Sequence, residues 1–310
     1  MKLEGIHHIS AITGDAPRNV DFYASTMGMR LVKKTVNQDD PGVYHLFYGD
    51  EKGSAGFDLT FFEYPGAARG RAGAGMVHQI VFRVGSPGSL AFWDDRLRTA
   101  GIETVRGDAT LDFHDPEGLG LQLRVSDTSE VPLVPRHPEI PEEVAIQGFD
   151  AVRAYTDDPA RSRDFLRSGV DFTPLDGDVF QSIGNSRSSL YSYDRAPGVG
   201  ISGAGTVHHV AWAAQLHEHG AWREHVLAAG GQPTPVIDRF YFRSIYFREP
   251  SGVLFEIATI GPGFATDEDP DHLGERLSLP PAFEYLRERV ERTLTPLPNP
   301  RAAAVTRSAR

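Results

Sequence analysis

Two His-His pairs, His7-His8 and His208-His209, and one glutamate among apolar neighbours, Glu256 in VLFEIAT, are the residues of this 310-residue chain best suited to metal chemistry. Successive side chains of a strand point to opposite faces, so one histidine of each pair can face a shared cavity. A carboxylate flanked by Phe255 and Ile257 is costly to bury without a partner. Two imidazoles and one carboxylate are the ligand set of a mononuclear non-haem iron(II) site with open positions, and manganese(II) accepts the same donors. Taken singly, a histidine on a half-buried strand is more often an ordinary core residue, and Glu256 could instead pair with Arg248. The recurrence of the pair beside a buried-strand glutamate favours ligation.

The composition narrows the rest. With no cysteine there can be no disulfide, thiolate zinc site, iron–sulfur cluster or cysteine nucleophile. A formal charge of −11, from 31 Lys+Arg against 42 Asp+Glu, argues against a nucleic-acid or anionic-membrane partner and leaves a small molecule. MKLEGIHHISAITGD does not read as a signal peptide, and no run of 18 or more apolar residues stands out, so a cytoplasmic location is expected. A homo-oligomer is left open.

The elements that must carry these residues come from an internal repeat. GIHHISAIT (5–13), GMVHQIVFRV (75–84), GFDAVRAYT (148–156) and GTVHHVAWA (205–213) open four similar segments. Each is followed by a helical stretch that stops at a glycine, read as a left-handed terminator, and then by strand-like runs rich in β-branched and aromatic residues. HDPEGLGLQLRV (114–125) echoes REPSGVLFEIAT (248–259). The fold class is therefore α+β, with four βαβββ modules. Residues 1–125 hold the first two and 148–261 the last two. A proline-rich, stiff linker spans 126–147. An extension, 262–310, carries the acidic turn DEDPD, a helix candidate over 280–294 and a tail of about a dozen residues expected to be disordered.

The repeat also acts as an internal control. Module two aligns Gln79 with His209 and Gln122 with Glu256, so it has the scaffold without the ligands. Module one places Thr60 where module four has Glu256, so three protein ligands are available. His45, His78, His114, His137 and His272 have no counterpart and are assigned structural or surface roles, and His217, His219 and His225 are read as solvated. In VIDRFYFRSIYF (236–247), Phe240 and Phe242 are read as strand packing. Arg239 and Tyr246 are candidate hydrogen-bond donors to a phenolic substrate or bound oxygen species.

Across GIHHISAITGDAPRNVDFYASTMGMRLVKKTVNQDDPGVYHLFYGDEKGSAG, GTVHHVAWA, DRFYFRSIYFREPSGVLFEIAT and GFATDEDPDHLGERLSLPP, the chain resembles the vicinal oxygen chelate superfamily. Within it, the chain is most similar to ring-cleaving dioxygenases of the para-hydroquinone 1,2-dioxygenase type. The resemblance implies modules paired into two metal-holding half-barrels, iron(II) on His8, His209 and Glu256, and an aromatic diol and O2 as substrates. It places His7, Ser10, His208, Arg239 and Tyr246 around the metal, with His208 or Tyr246 as acid or base and Arg239 holding negative charge. Strict alternation would turn His7 and His208 away, so their role requires a bulge or a cavity edge. Ligands from modules one and four require those two modules to pack together, leaving modules two and three as a ligand-free barrel. A glyoxalase-type isomerase, a catechol-cleaving enzyme and a non-catalytic aromatic-binding protein are the alternatives on this fold.

Overall fold

The computed structural model of the protein describes residues 1–300, so the expected disordered tail falls almost wholly outside the described residues. Module one comprises β1 (Ile6–Thr13), α1 (Ala16–Val20), β2 (Arg30–Asn37), β3 (Asp40–Gly49) and β4 (Asp58–Glu63). Module two comprises β5 (Met76–Val84), α2 (Pro87–Thr99), β6 (Thr104–Arg106), β7 (Thr110–His114) and β8 (Gly120–Val125). Module three follows as β9 (Phe149–Thr156), α3 (Ala160–Ser168), β10 (Thr173–Pro174), β11 (Val179–Ile183) and β12 (Ser188–Arg195). Module four is β13 (Thr206–Ala214), α4 (His219–Ala228), β14 (Ile237–Asp238), β15 (Arg243–Arg248) and β16 (Leu254–Thr259), and the extension adds α5 (Arg287–Thr293).

Two eight-stranded sheets result. One runs β14-β15-β16-β13-β1-β4-β3-β2 and unites modules four and one; the other runs β10-β11-β12-β9-β5-β8-β7-β6 and unites modules three and two. Each sheet therefore takes one module from each half of the sequence. At the centre of each, the opening strands of two modules pair antiparallel, β1 with β13 and β5 with β9. Apolar faces explain the packing: α2 buries Leu90, Trp93 and Leu97 at helical spacing against its sheet, and α4 buries Trp222 and Val226.

The glycine terminators hold in three modules, where Gly28, Gly101 and Gly230 have φ of 68°, 78° and 87°. In module three the helix ends at Gly169 with φ −99°, and the left-handed residue is Asp171 (φ 55°), an acidic residue of the kind that tolerates this region. The linker holds one short helical turn, Glu142–Val144, and no strand. The extension crosses β2: Lys33 on that strand is fully buried and bonds Asp267, Glu268 and the Phe264 carbonyl. No helix among the described residues is long and apolar enough to cross a membrane.

Candidate metal centre

The register explains how side chains from distant modules meet. Ser10 on β1 lies opposite His209 on β13, and β1 shifts register between Ile6 and His8 and again after Ser10. This irregularity is the bulge that His7 required, since it lets His7 and His8 turn toward one another. On the parallel neighbours, Glu256 sits beside Ala211 and Thr60 beside Ser10, so Thr60 occupies the position in module one that Glu256 holds in module four.

His8, His209 and Glu256 are all buried, with one ligand atom from each within 4.8 Å of the others. His8 Nε2 is 3.2 Å from His209 Nε2 and 3.1 Å from Glu256 Oε2, and His209 Nε2 is 2.9 Å from the same oxygen. An ion bound at about 2.1 Å with right angles between ligands would set adjacent donors about 3 Å apart. Ser244 Oγ donates to Glu256 Oε1 at 2.5 Å, whereas buried Oε2 accepts no hydrogen bond. Burial opposes charge on Glu256, and imidazoles of His8 and His209 that carry a proton toward it hold the carboxyl well below its usual range; with those nitrogens bare, a cation takes the proton's place. The triad can therefore bind a metal.

The flanking histidines orient the ligands from behind. His7 Nε2 meets the Thr259 carbonyl at 3.2 Å, and a carbonyl only accepts, so this nitrogen carries the proton. Burial pulls His7 down to about 3, so it is neutral and its Nδ1 is bare. That Nδ1 lies 3.0 Å from His8 Nδ1, which must donate to it, leaving a lone pair on His8 Nε2 at the centre. His208 repeats the contact, with Nδ1 2.8 Å from His209 Nδ1. The two differ outward: His7 is enclosed, while His208 is exposed on one edge at the cavity. Burial of the rest of that ring, together with His209, lowers His208 to about 4.

A cavity of about 300 Å³ opens over His8 and His209, with Phe62, Phe242, Leu254 and Tyr241 as apolar walls. Tyr246 and Arg239 line it as well. Burial and Glu256 raise the Tyr246 phenol above its usual value, so it remains a donor. Arg239 Nε lies 3.4 Å from Tyr246 Oη, and its two terminal nitrogens grip the Asp39 carboxylate at 2.9 Å each. The segment is held in a tight turn: Phe240 has φ 69°, and Tyr241 N donates to the Arg239 carbonyl at 2.8 Å. Ser10 does not reach the cavity surface. It bonds Thr60 at 2.7 Å, and Thr60 bonds His45 at 2.9 Å.

Three residues read otherwise from sequence are relocated. His45, taken as structural or surface, lines the cavity, because alternation along β3 puts it on the concave face with Phe47; burial holds it well below its usual value. His219, taken as solvated, is buried and meets the Ile257 carbonyl at 2.9 Å. Phe242, taken as packing, faces both sides: it contacts the His7 and His8 rings at 5.4 and 5.1 Å and lines the cavity. His225 is half-buried and pairs with Asp171 at 2.9 Å. The periodicity of β3 was the available signal for His45; the enclosure of His219 depends on tertiary contacts alone.

Residues 5–123 and 148–257 match the Glyoxalase/Bleomycin resistance protein/Dioxygenase superfamily. The chain belongs to this superfamily. Among its members, "Putative ring-cleaving dioxygenase MhqO" of Bacillus subtilis (strain 168) is 40% identical over 304 residues, covering 95% of this chain and 97% of that protein. "Chlorohydroquinone/hydroquinone 1,2-dioxygenase" of Sphingobium indicum is 34% identical over 313 residues, covering 94% and 96%. A crystal structure titled as a putative dioxygenase from B. subtilis superposes with a TM-score of 0.90 at 37% identity, covering 96% of this chain and 98% of that one. Glyoxalase I from Zea mays, at 16% identity and TM-score 0.60 over 82% of this chain and 92% of its own, shares the superfamily fold.

Proposed function

We propose that the chain is an iron(II)-dependent ring-cleaving dioxygenase that opens a hydroquinone-type aromatic diol with O2. The observation that carries this reading is the arrangement of three buried donors on one side of an aromatic-walled cavity of about 300 Å³, near the lower end of small-molecule sites and suited to one ring. The similarity to a chlorohydroquinone/hydroquinone 1,2-dioxygenase over nearly the whole chain supports it.

With three protein ligands, iron(II) in this site would retain open positions for a substrate hydroxyl and O2 and would lower the hydroxyl pKa. The protein's own contribution is positional and electrostatic. His7, its own proton committed to the Thr259 carbonyl, fixes the His8 tautomer, and His208 contacts His209 at the same ring position. Tyr246 Oη and Arg239 present donors to oxygen atoms that gain negative charge. The outer nitrogen of His208 can hold or return a proton at the cavity edge. Ser10 acts through Thr60 and His45. Both atoms of O2 end in the ring-opened product, so no outside reductant is required.

The absence of a carboxylate at Thr60 weighs against the four-ligand isomerase. Oxygen uptake by anaerobically iron(II)-loaded protein with hydroquinone, methylhydroquinone and catechol, with metal content measured on the same sample, tests the reading. Iron-dependent uptake with a para-diol and a ring-opened product is expected. One bound metal per chain without uptake on any diol would overturn it, and activity restored by manganese(II) alone would change the metal.

A further inference from the structure

The cavity has a polar wall far from the triad in the sheet order. β1, β13 and β16 form the centre of the first sheet and carry the ligands, whereas β2 and β14 are its two edges. The sheet curls until these edges approach, as shown by the Asp39–Arg239 pair and by Gln38 Nε2, which donates to the Arg239 carbonyl at 2.7 Å. Thr35 on β2 and His45 on β3 thus stand on the wall facing β15, and both line the cavity. They are directly paired across the two strands, so they share the concave face.

Thr35 is only 2% exposed, and its Oγ1 has no hydrogen-bond partner. Buried hydroxyls are normally satisfied, so one that lines a binding cavity without a partner calls for a ligand atom. His45 is committed through one nitrogen only: Nε2 bonds Thr60 Oγ1 at 2.9 Å, and Nδ1 makes no hydrogen bond among the described residues. Other polar groups lining the cavity are engaged, with Asn37 Oδ1 accepting from Asp39 N on this wall and Thr234 Oγ1 accepting from Tyr246 N on the facing one.

We propose that Thr35 and His45 form a subsite for the second oxygen of the substrate, the hydroxyl that is not at the metal triad, and so select a 1,4-diol over a 1,2-diol. The proposal rests on the ring-cleaving reading above and extends it. A ring with one oxygen at the triad turns its opposite carbon toward the β2–β3 wall. A hydroxyl there both donates and accepts, and it meets Thr35 Oγ1 and His45 Nδ1. A catechol would direct both oxygens to the triad and leave buried Thr35 Oγ1 unmet, the kind of mismatch by which a hydrogen-bonding site rejects an analogue.

The test is anaerobic calorimetry on full-length iron(II)-loaded protein with hydroquinone, phenol and catechol as probes. Wild type should bind hydroquinone roughly tenfold or more tighter than phenol. Thr35→Val, which keeps the shape, should close that gap to within about threefold while phenol and catechol affinities hold, and Thr35→Ser should restore it. A gap that survives Thr35→Val, or an equal loss for all three probes, overturns the subsite. Should Thr35→Val fail to hold iron, His45→Phe, which keeps a ring between Phe47 and Phe62 at about the 4.0 and 4.3 Å now seen, reads the same gap. Oxygen uptake separates the two readings. Uptake by wild type with no hydroquinone preference sinks the subsite alone. A preference without uptake keeps the subsite and sinks ring cleavage, and no binding of either probe sinks both.

Discussion

The two barrels share one backbone plan and differ in whether their central polar groups can satisfy one another. By register, Ala151, Gln79 and Gln122 occupy in the second barrel the places of His8, His209 and Glu256. There, Gln79 Nε2 and Gln122 Nε2 both donate to Asp112 Oδ1, at 2.7 and 2.8 Å, and Asp194 is held by Arg153 and His78. Amide donors and a carboxylate acceptor close a circuit without an ion. In the first barrel, two ring nitrogens and a carboxylate oxygen point at one spot, where each can offer a lone pair, and a cation is the natural complement. The comparison shows that the fold supplies convergence, while donor–acceptor balance determines whether the convergence becomes a metal site.

The strongest way to break this contrast is Glu256→Gln, which gives the first barrel the amide chemistry of the second. Metal affinity should fall at least about a hundredfold and oxygen uptake should vanish, read by metal content and an oxygen electrode, with the fold retained by circular dichroism. The reciprocal change, Ala151→His with Gln79→His, Gln122→Glu and Asp112→Tyr, should raise bound metal from one ion per chain toward two, since β5 and β9 already carry the register shifts of β1 and β13; no second ion would show that an orienting histidine in place of Asp150 is also required. Asp112→Ala alone strands two amide donors, and a loss of about 1–3 kcal/mol in denaturant-derived stability is expected, with oxygen uptake unchanged. The smallest effect is expected from Asp39→Asn. The Asp39 carboxylate is 73% exposed, so its pairing with Arg239 should add little stability, and KM for the diol should rise a fewfold with kcat nearly constant.

The sequence exposed the module repeat, the ligand pairs and the need for modules one and four to meet, because each is written as a local pattern that recurs. It concealed the second wall of the cavity. Every residue of β2 is buried: Lys33 and Thr35 share the concave face, one capped by the extension and the other lining the cavity, while Lys34 on the opposite face reaches the Glu275 carbonyl of the extension, so burial and polarity no longer alternate. Thr35 consequently looks like any strand threonine. His45 carried a readable alternation with Phe47 but no partner in the repeat, and repeat matching discards residues that only one module possesses. Asp171 shows the same limit at a helix end, where glycine spacing pointed to Gly169 and the left-handed turn came two residues later.

The interleaving of modules also bears on the order in which the chain can assemble. His8 and His209 stand 201 residues apart, and β1 finds its antiparallel partner only when β13 has been made. During synthesis, module one must wait with an open sheet edge while modules two and three, which are adjacent in sequence, can close around β5 and β9 first. The ligand-free barrel is then the natural early folding unit, and the metal-binding one is completed last upon it.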